Sequence, residues 1–335
     1  MTNNIKTSLY EAEENTYIPY YIYEEKYFDT MSSKVIPFIS SFEESGYING
    51  ENNIKIYYRK YILDNPKGNI VISHGFTECI EKYSELIYYF LNEGFSVFIH
   101  EHRGHGRSGV LGQIDSSQVS IEDYHYYILD FKSFLDNIVV PNSKNQNLIL
   151  FAHSMGGGIA ARFLEEYNDY FSKAILSSPM LEINTGSTHA FIAKSLTRLM
   201  VKKKKSGNYV LGQGPYIDSY QYETAGTTCK ARYDYFYHIQ SNNNELQRGG
   251  ASYHWLAESF KLSKDAVNAA AEIKIPLLLF QAEHDDFVKP SGQNIFAGKL
   301  SNCTLIKVAG SKHDIFREKD EILIPYMEKI ISFIN

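Results

Sequence analysis

The sequence predicts an α/β fold, with a mostly parallel central sheet flanked by helices and an inserted cap. Three observations carry that prediction. Short apolar runs recur at 54–61, 69–73, 95–100, 147–152, 173–177, 276–281 and 304–308. Helical patterns separate them, and strands alternating with helices are the mark of a parallel sheet covered on both faces. The alternation fails between about residues 180 and 264, where Gly207, Gly212, Gly214, Pro215, Gly249 and Gly250 punctuate short helical patterns. It resumes at Ile273, so the chain returns to the same domain. The expected division is a core of 1–180 and 265–335 around a cap of 181–264. A length of 335 residues suits this arrangement, being larger than most single domains.

Two helices outside the cap can be read in some detail. Ser120 with Asp123 has the spacing of a capping box, and Tyr124, Ile128, Phe131, Leu135 and Ile138 then line one helical face. Residues 20–39 are expected to form an N-terminal helix interrupted at Pro37, which has no N–H to give the ladder.

Composition removes several classes of function. With 44% hydrophobic and 21% charged residues the chain is neither disordered nor fibrous. A net charge of −6 without a basic excess argues against nucleic acid as a partner. Cys79, Cys229 and Cys303 are odd in number and far apart, which fits neither a disulfide framework nor a zinc site and suits a reducing cytoplasm. The start of the chain, with Glu11, Glu13 and Glu14 among tyrosines, lacks the pattern of a secretory signal, and no run approaches membrane-spanning length. The 27 tyrosines and 20 phenylalanines are expected mainly to fill core and surface.

The chemistry concentrates at strand ends. NLILFAHSMGGG at 147–158 is an apolar strand running through Ala152-His153-Ser154-Met155-Gly156 into a helix of small residues. That is the strand–turn–helix setting of a serine nucleophile, with Ala152 in place of the usual first glycine. Ser73-His74-Gly75-Phe76 follows another strand where a second oxyanion donor is expected, so the backbone N–H groups of Phe76 and Met155 form the predicted oxyanion hole. An acid and then a base should follow the serine. Glu283, Asp285 and Asp286 emerge after the strand at 276–281, and His313 sits in a turn after the strand at 304–308. In the predicted roles Ser154 attacks, His313 takes its proton and one carboxylate fixes the histidine tautomer. Such acyl transfer implies no metal and no cofactor.

These motifs resemble the lysophospholipase L2 and monoacylglycerol lipase branch of the α/β-hydrolases, over most of the chain. Glu101-His102-Arg103-Gly104-His105-Gly106-Arg107-Ser108 is similar to that family's loop with Gly-His-Gly before a serine, and GSKHDIFRE at 310–318 is similar to its histidine turn. In that family the acid stands three residues before a Val-like position, which here is Val288 and selects Asp285. Arg248-Gly249-Gly250-Ala251-Ser252-Tyr253-His254-Trp255 resembles a stretch of the lysophospholipase L2 cap that generic hydrolases lack. The resemblance implies an α/β-hydrolase fold, a triad of Ser154, Asp285 and His313, and a lipid or other ester as substrate. It does not explain the run of lysines from 202 to 205 or the tyrosine- and glutamate-rich start.

Two readings of the cap stay open. Phe191, Ile192, Leu196, Leu199 and Met200 fall at helical spacing before Lys202, Lys203, Lys204 and Lys205. They describe either a membrane-facing lid in peripheral contact with a bilayer or a helix packed on the core with a solvated basic end. The rival functions are a serine aminopeptidase or iminopeptidase, which needs a carboxylate cluster for a substrate amine, and a ligand-binding protein of the same fold without catalysis. Glu223, Asp234, Glu245 and Glu258 are scattered along the cap without forming such a cluster in sequence.

Overall fold

The computed structural model describes residues 8–9 and 20–335, apart from 187 and 189; the early glutamates Glu11, Glu13 and Glu14 lie outside the described residues. Its strands are β1 (Ser8–Leu9), β2 (Glu43–Asn49), β3 (Lys55–Tyr61), β4 (Gly68–Ser73), β5 (Phe95–His100), β6 (Leu148–His153), β7 (Lys173–Ser177), β8 (Leu277–Ala282) and β9 (Cys303–Val308). They form a nine-stranded sheet in the order β1-β9-β8-β7-β6-β4-β5-β3-β2. All pairings from β1 across to β5 are parallel, and β3 pairs antiparallel with both β5 and β2. All seven expected strands form, within a residue or so of their expected ends. The edge strand β2 escaped the sequence reading because Glu43, Glu44 and Gly46 break its apolar alternation and one side of it faces solvent.

Helices cover both faces. On one side lie α1 (Tyr27–Thr30) and α2 (Ile36–Ser40), joined by a π-helical turn at Met31–Val35, together with α3 (Ser84–Asn92). Pro37 therefore does not interrupt the N-terminal helix as expected. The widened turn just before it relieves the proline ring's conflict with the preceding carbonyls, so the helix continues. The same device recurs where α4 (His125–Phe134) passes through a π turn at Leu135–Val139 into α5 (Val140–Asn142), which holds Pro141. The apolar face of that helix is buried as predicted, at Tyr124, Ile128, Phe131 and Leu135, but the capping box does not form. Ser120 Oγ instead meets Ser252 Oγ at 2.9 Å, and Asp123 Oδ1 accepts the His125 N–H at 3.0 Å, so the helix begins later.

Helix α6 (Ser154–Glu166) follows β6 directly, and α7 (Ala190–Lys202), α8 (Lys230–Ser241) and α9 (Tyr253–Ala269) occupy the segment between β7 and β8. The chain closes with α10 (Pro290–Lys299) and α11 (Asp320–Ile334). Period-two alternation divides the strands between two cores. Ile70, Ile72, Ile149 and Phe151 face α3 and α11, while Val71, Leu150 and Ala152 face α4 and α6. Helix α9 crosses the expected cap boundary at 264, and its Leu262 and Ala266 join the core beside α6. Arg232 on α8 is fully buried, donating to both oxygens of Glu85 and to Asp320, and so ties the inserted segment to the core. Many tyrosines are core residues, as expected; Tyr61, Tyr83, Tyr89, Tyr124 and Tyr127 are among the largest fully buried side chains.

Candidate active site

Strand β6 ends at His153, and Ser154 begins α6 in the left-handed region with φ +51°. Strain of this kind at a non-glycine residue is tolerated only where the surroundings fix it. Here the fixing element is Gly156, where a Cβ would collide with the carbonyl oxygens of Ser73 and His74 at the end of β4. The helix start therefore abuts the turn that carries Phe76. Met155 lies in the first turn of α6, where an N–H has no acceptor within the helix.

Three side chains from separate strand ends converge. His313 Nε2 lies 2.8 Å from Ser154 Oγ, and His313 Nδ1 lies 2.7 Å from Asp285 Oδ2. The other carboxylate oxygen of Asp285 accepts the N–H groups of Phe287 at 2.9 Å and Val288 at 3.0 Å, so the loop's own backbone aims Oδ2 at the histidine. Glu283 and Asp286 do not reach His313; Glu283 Oε2 caps Gly310 N–H at 2.8 Å. The acid and base loops are joined by His284 N–H donating to Ser311 O at 2.9 Å. Ser154 is 8% exposed and His313 is buried. Burial alone would lower the pKa of His313, but the hydrogen bond and charge of Asp285, aided by Asp314, hold it above the ordinary histidine value.

A second layer, which the sequence reading missed, backs the histidine. Lys82 Nζ bridges Glu78 Oε1 at 2.5 Å and Asp314 Oδ2 at 2.7 Å, and Arg317 reaches the same Asp314 oxygen at 3.3 Å. Glu78 Oε2 accepts Gly75 N–H at 2.6 Å and Tyr83 O–H at 2.5 Å, which fixes the turn before Phe76. Burial would raise both carboxylates, yet Lys82 and His153 outweigh it, holding Glu78 down to about 2 and Asp314 well below the usual range. Asp314 directly follows His313 and was visible; its pairing with Lys82 spans far too much sequence to be read.

The loop that begins at Glu101 is structural in these contacts. Arg103 forks onto Asp130 at 2.6 and 2.7 Å, and Arg107 pairs with Glu81 at 2.6 Å and Glu101 at 2.8 Å. His102 N–H donates to His74 Nε2 at 2.9 Å, so His74 Nδ1 carries the proton it gives to Gly75 O at 2.7 Å. Arg248 clamps the same loop through the carbonyls of Gly104 at 2.9 Å and Gly106 at 2.5 Å. Trp255 packs against Phe76 with ring centroids 4.3 Å apart. The stretch from Arg248 to Trp255, singled out in sequence, thus holds two loops beside Ser154.

Among the described residues one group offers metal-ligand atoms close together, His153, His313 and Asp314. Both ring nitrogens of His313 already face Asp285 and Ser154, and the Lys82 ammonium sits on Asp314, so the group is committed to hydrogen bonds and ion pairs. All three cysteines are free thiols.

The chain is similar to known proteins in sequence and in fold. The family described as serine aminopeptidase, S33 (Hydrolase_4), matches residues 64–320. A probable lysophospholipase L2 of Haemophilus influenzae is 27% identical over 314 residues, covering 93% of this chain and 98% of its own. Monoglyceride lipase of Mus musculus is 25% identical over 274 residues, covering 81% and 83%. The crystal structure of a soluble variant of Saccharomyces cerevisiae monoglyceride lipase in complex with a substrate analog superposes with a TM-score of 0.67 at 18% identity, covering 87% of this chain and 95% of that one.

Proposed function

The chain belongs to the serine aminopeptidase S33 (Hydrolase_4) family of α/β-hydrolases, and from that premise we propose that it is a serine carboxylic-ester hydrolase of single-acyl-chain lipids. Lysophospholipid is the first substrate and monoacylglycerol the second. The observation that carries the reading is the unbroken hydrogen-bond chain from Asp285 through His313 to Ser154 on its strained turn.

A carboxylate only accepts, so His313 Nδ1 carries a proton toward Asp285 and the Nε2 lone pair faces the Ser154 hydroxyl. As Ser154 Oγ attacks the ester carbonyl, its proton passes to Nε2. The N–H groups of Phe76 and Met155 receive the negative charge on the carbonyl oxygen, with the positive end of the α6 dipole behind them. Collapse breaks the ester bond, Nε2 returns the proton to the leaving alcohol, and an acyl group remains on Ser154. Water activated by the same nitrogen then releases the fatty acid.

The names of the lysophospholipase L2 relatives, and the resemblance of the stretch from Arg248 to Trp255 to that cap, support lysophospholipid over other esters. The family's description favours a second reading, an aminopeptidase. Against it, the carboxylates of the inserted segment stand apart. Asp234 pairs with Lys230 and Tyr220, Glu245 lies near Arg107, and Glu258 accepts the Tyr124 N–H. Three free thiols suit a cytoplasmic setting, with the lipid met at a membrane surface through the cap. Purified protein assayed on lysophospholipids, monoacylglycerols, short p-nitrophenyl esters and aminoacyl amides tests the reading. Turnover of the lipids and short esters is expected; turnover confined to the amides would make it a peptidase.

A further inference from the structure

The inserted segment is charged unlike the rest of the molecule. Between residues 183 and 217 the sequence holds six cations, Lys194, Arg198 and Lys202 to Lys205, and no carboxylate, within a chain whose net charge is −6. Among the described residues no carboxylate lies within ion-pairing distance of any of the six. Burial separates the two readings of α7 that the sequence left open. Only Thr197 is buried in that helix, while Phe191 is 72% exposed and Ile192 and Leu199 also face outward. On the same segment Leu211 and Ile217 are 81% and 70% exposed. Cations and exposed apolar side chains therefore share one surface.

The end of α7 adds a backbone observation. Lys205 N–H bonds to Met200 O at 2.9 Å and Lys204 N–H to Val201 O at 3.0 Å, the pattern of a Schellman cap, with Lys204 at φ +56°. Glycine is the residue that suits this position, and lysine occupies it at a conformational cost. Both ends of the segment are tied to the loops beside the triad. Asn184 N–H donates to Phe287 O at 2.9 Å, next to Asp285, and Val210 N–H donates to Ala251 O at 2.9 Å, near the Trp255 that packs on Phe76.

We infer that the surface of α7 and the chain following it is a docking site for an anionic lipid bilayer, and that it holds the mouth of the site against the membrane. The inference names the partner of the proposed lipid hydrolase and rests on that reading for its purpose, though not for its physical basis. Lysines supply long-range attraction to anionic headgroups, and the exposed apolar side chains enter the headgroup boundary once contact is made. An acidic protein would match the cations but leave Leu211 and Ile217 without a role.

The test is sedimentation of the full chain with vesicles of phosphatidylcholine alone or with about one third phosphatidylglycerol, an assay composition chosen to span surface charge. Wild type is expected to bind the anionic vesicles and release them as salt rises. A variant with Lys202, Lys203, Lys204 and Lys205 all changed to Gln should partition at least about thirtyfold more weakly, since each lysine near such a surface contributes roughly fivefold. Leu211→Ser with Ile217→Ser should lower the binding that survives at high salt, and Lys204→Gly controls for folding of the cap. Hydrolysis of a soluble short ester should be the same in all of them. Ser154→Ala should bind vesicles like wild type, so a failure of the catalytic reading appears in the ester assay and a failure of docking in sedimentation. Equal binding to both vesicle types, undiminished binding by the glutamine variant, or binding to soluble polyglutamate but not to vesicles would overturn the inference.

Discussion

Asp285 shows how much one position reveals when its geometry is local. Its Oδ1 is held by the N–H groups two and three residues on, so the spacing to Val288 that marked it in sequence is also what orients it. Asp285→Asn should lower ester hydrolysis by about 10³- to 10⁴-fold, because the amide stabilises the wrong histidine tautomer. Glu283→Gln and Asp286→Asn should stay within about threefold of wild type, being ordinary surface changes for catalysis. A steady-state comparison of the three checks this, and a ranking led by Glu283 or Asp286 would move the acid. Asp314 acts at longer range. His313 must be neutral to accept a proton, so activity falls as pH drops through its raised pKa. Asp314→Asn removes one of the charges that raise it and leaves Lys82 close by, so the acid limb of the kcat/KM profile should move to lower pH. An unmoved or upward-shifted limb would leave Asp314 a merely structural partner of Lys82 and Arg317. Nothing in the sequence near Glu78 or Lys82 announces this cluster, because it forms only when two strand ends meet.

At the scale of elements, strands buried on both faces were legible since each is a short apolar run with turn residues at its ends. Strand β2 and the π turns were not, because an edge strand needs little apolar surface and a π turn is a backbone response to a proline whose helix survives it. The contact of α6 with β4 was half legible. Small residues after Ser154 predicted close approach, but only the structure identifies the Ser73 and His74 carbonyls as what they approach. Gly156→Ala should therefore cost about 1–3 kcal/mol of stability, as forced overpacking does, and lower activity by displacing the turn before Phe76. Urea unfolding read against ester turnover measures both. A stable, fully active variant would mean the backbone contact is softer than it looks.

Across the whole molecule, buried titratable groups set an acid limit. His74 and His100 are lowered by burial to about 4 and about 3, and His102 and His105 are lowered well below the usual value for the same reason. Each is neutral when folded and charged when unfolded below about pH 6.5, so each favours unfolding as pH falls. Burial pushes Glu101 up to about 7 and Glu165 up to about 8, so these two carboxyls hold protons in the folded state and oppose the histidines. Between about pH 6.5 and 4.5 the four protons taken up by the unfolded histidines exceed the two held by folded Glu101 and Glu165, so stability should already fall as pH drops. Below about pH 4.5 the unfolded carboxylates are protonated too, so the opposition disappears. Down to about pH 4 all four histidines then act unopposed, joined by Glu78 and Asp314. Each proton taken up on unfolding is worth about 1.4 kcal/mol per pH unit, so Tm should drop steeply from about pH 4.5 to 3. A level Tm across that range would contradict the burial-driven shifts.

The central claim is that Ser154, activated by His313, is the nucleophile. A fluorophosphonate reacts with a serine only when a neighbouring base activates it, and peptide mass analysis locates the adduct. One adduct per chain is expected, on Ser154, with none formed in His313→Ala and with ester hydrolysis lost by about 10³-fold or more in Ser154→Ala. An adduct on another residue, or near-normal hydrolysis without the Ser154 hydroxyl, would contradict the account.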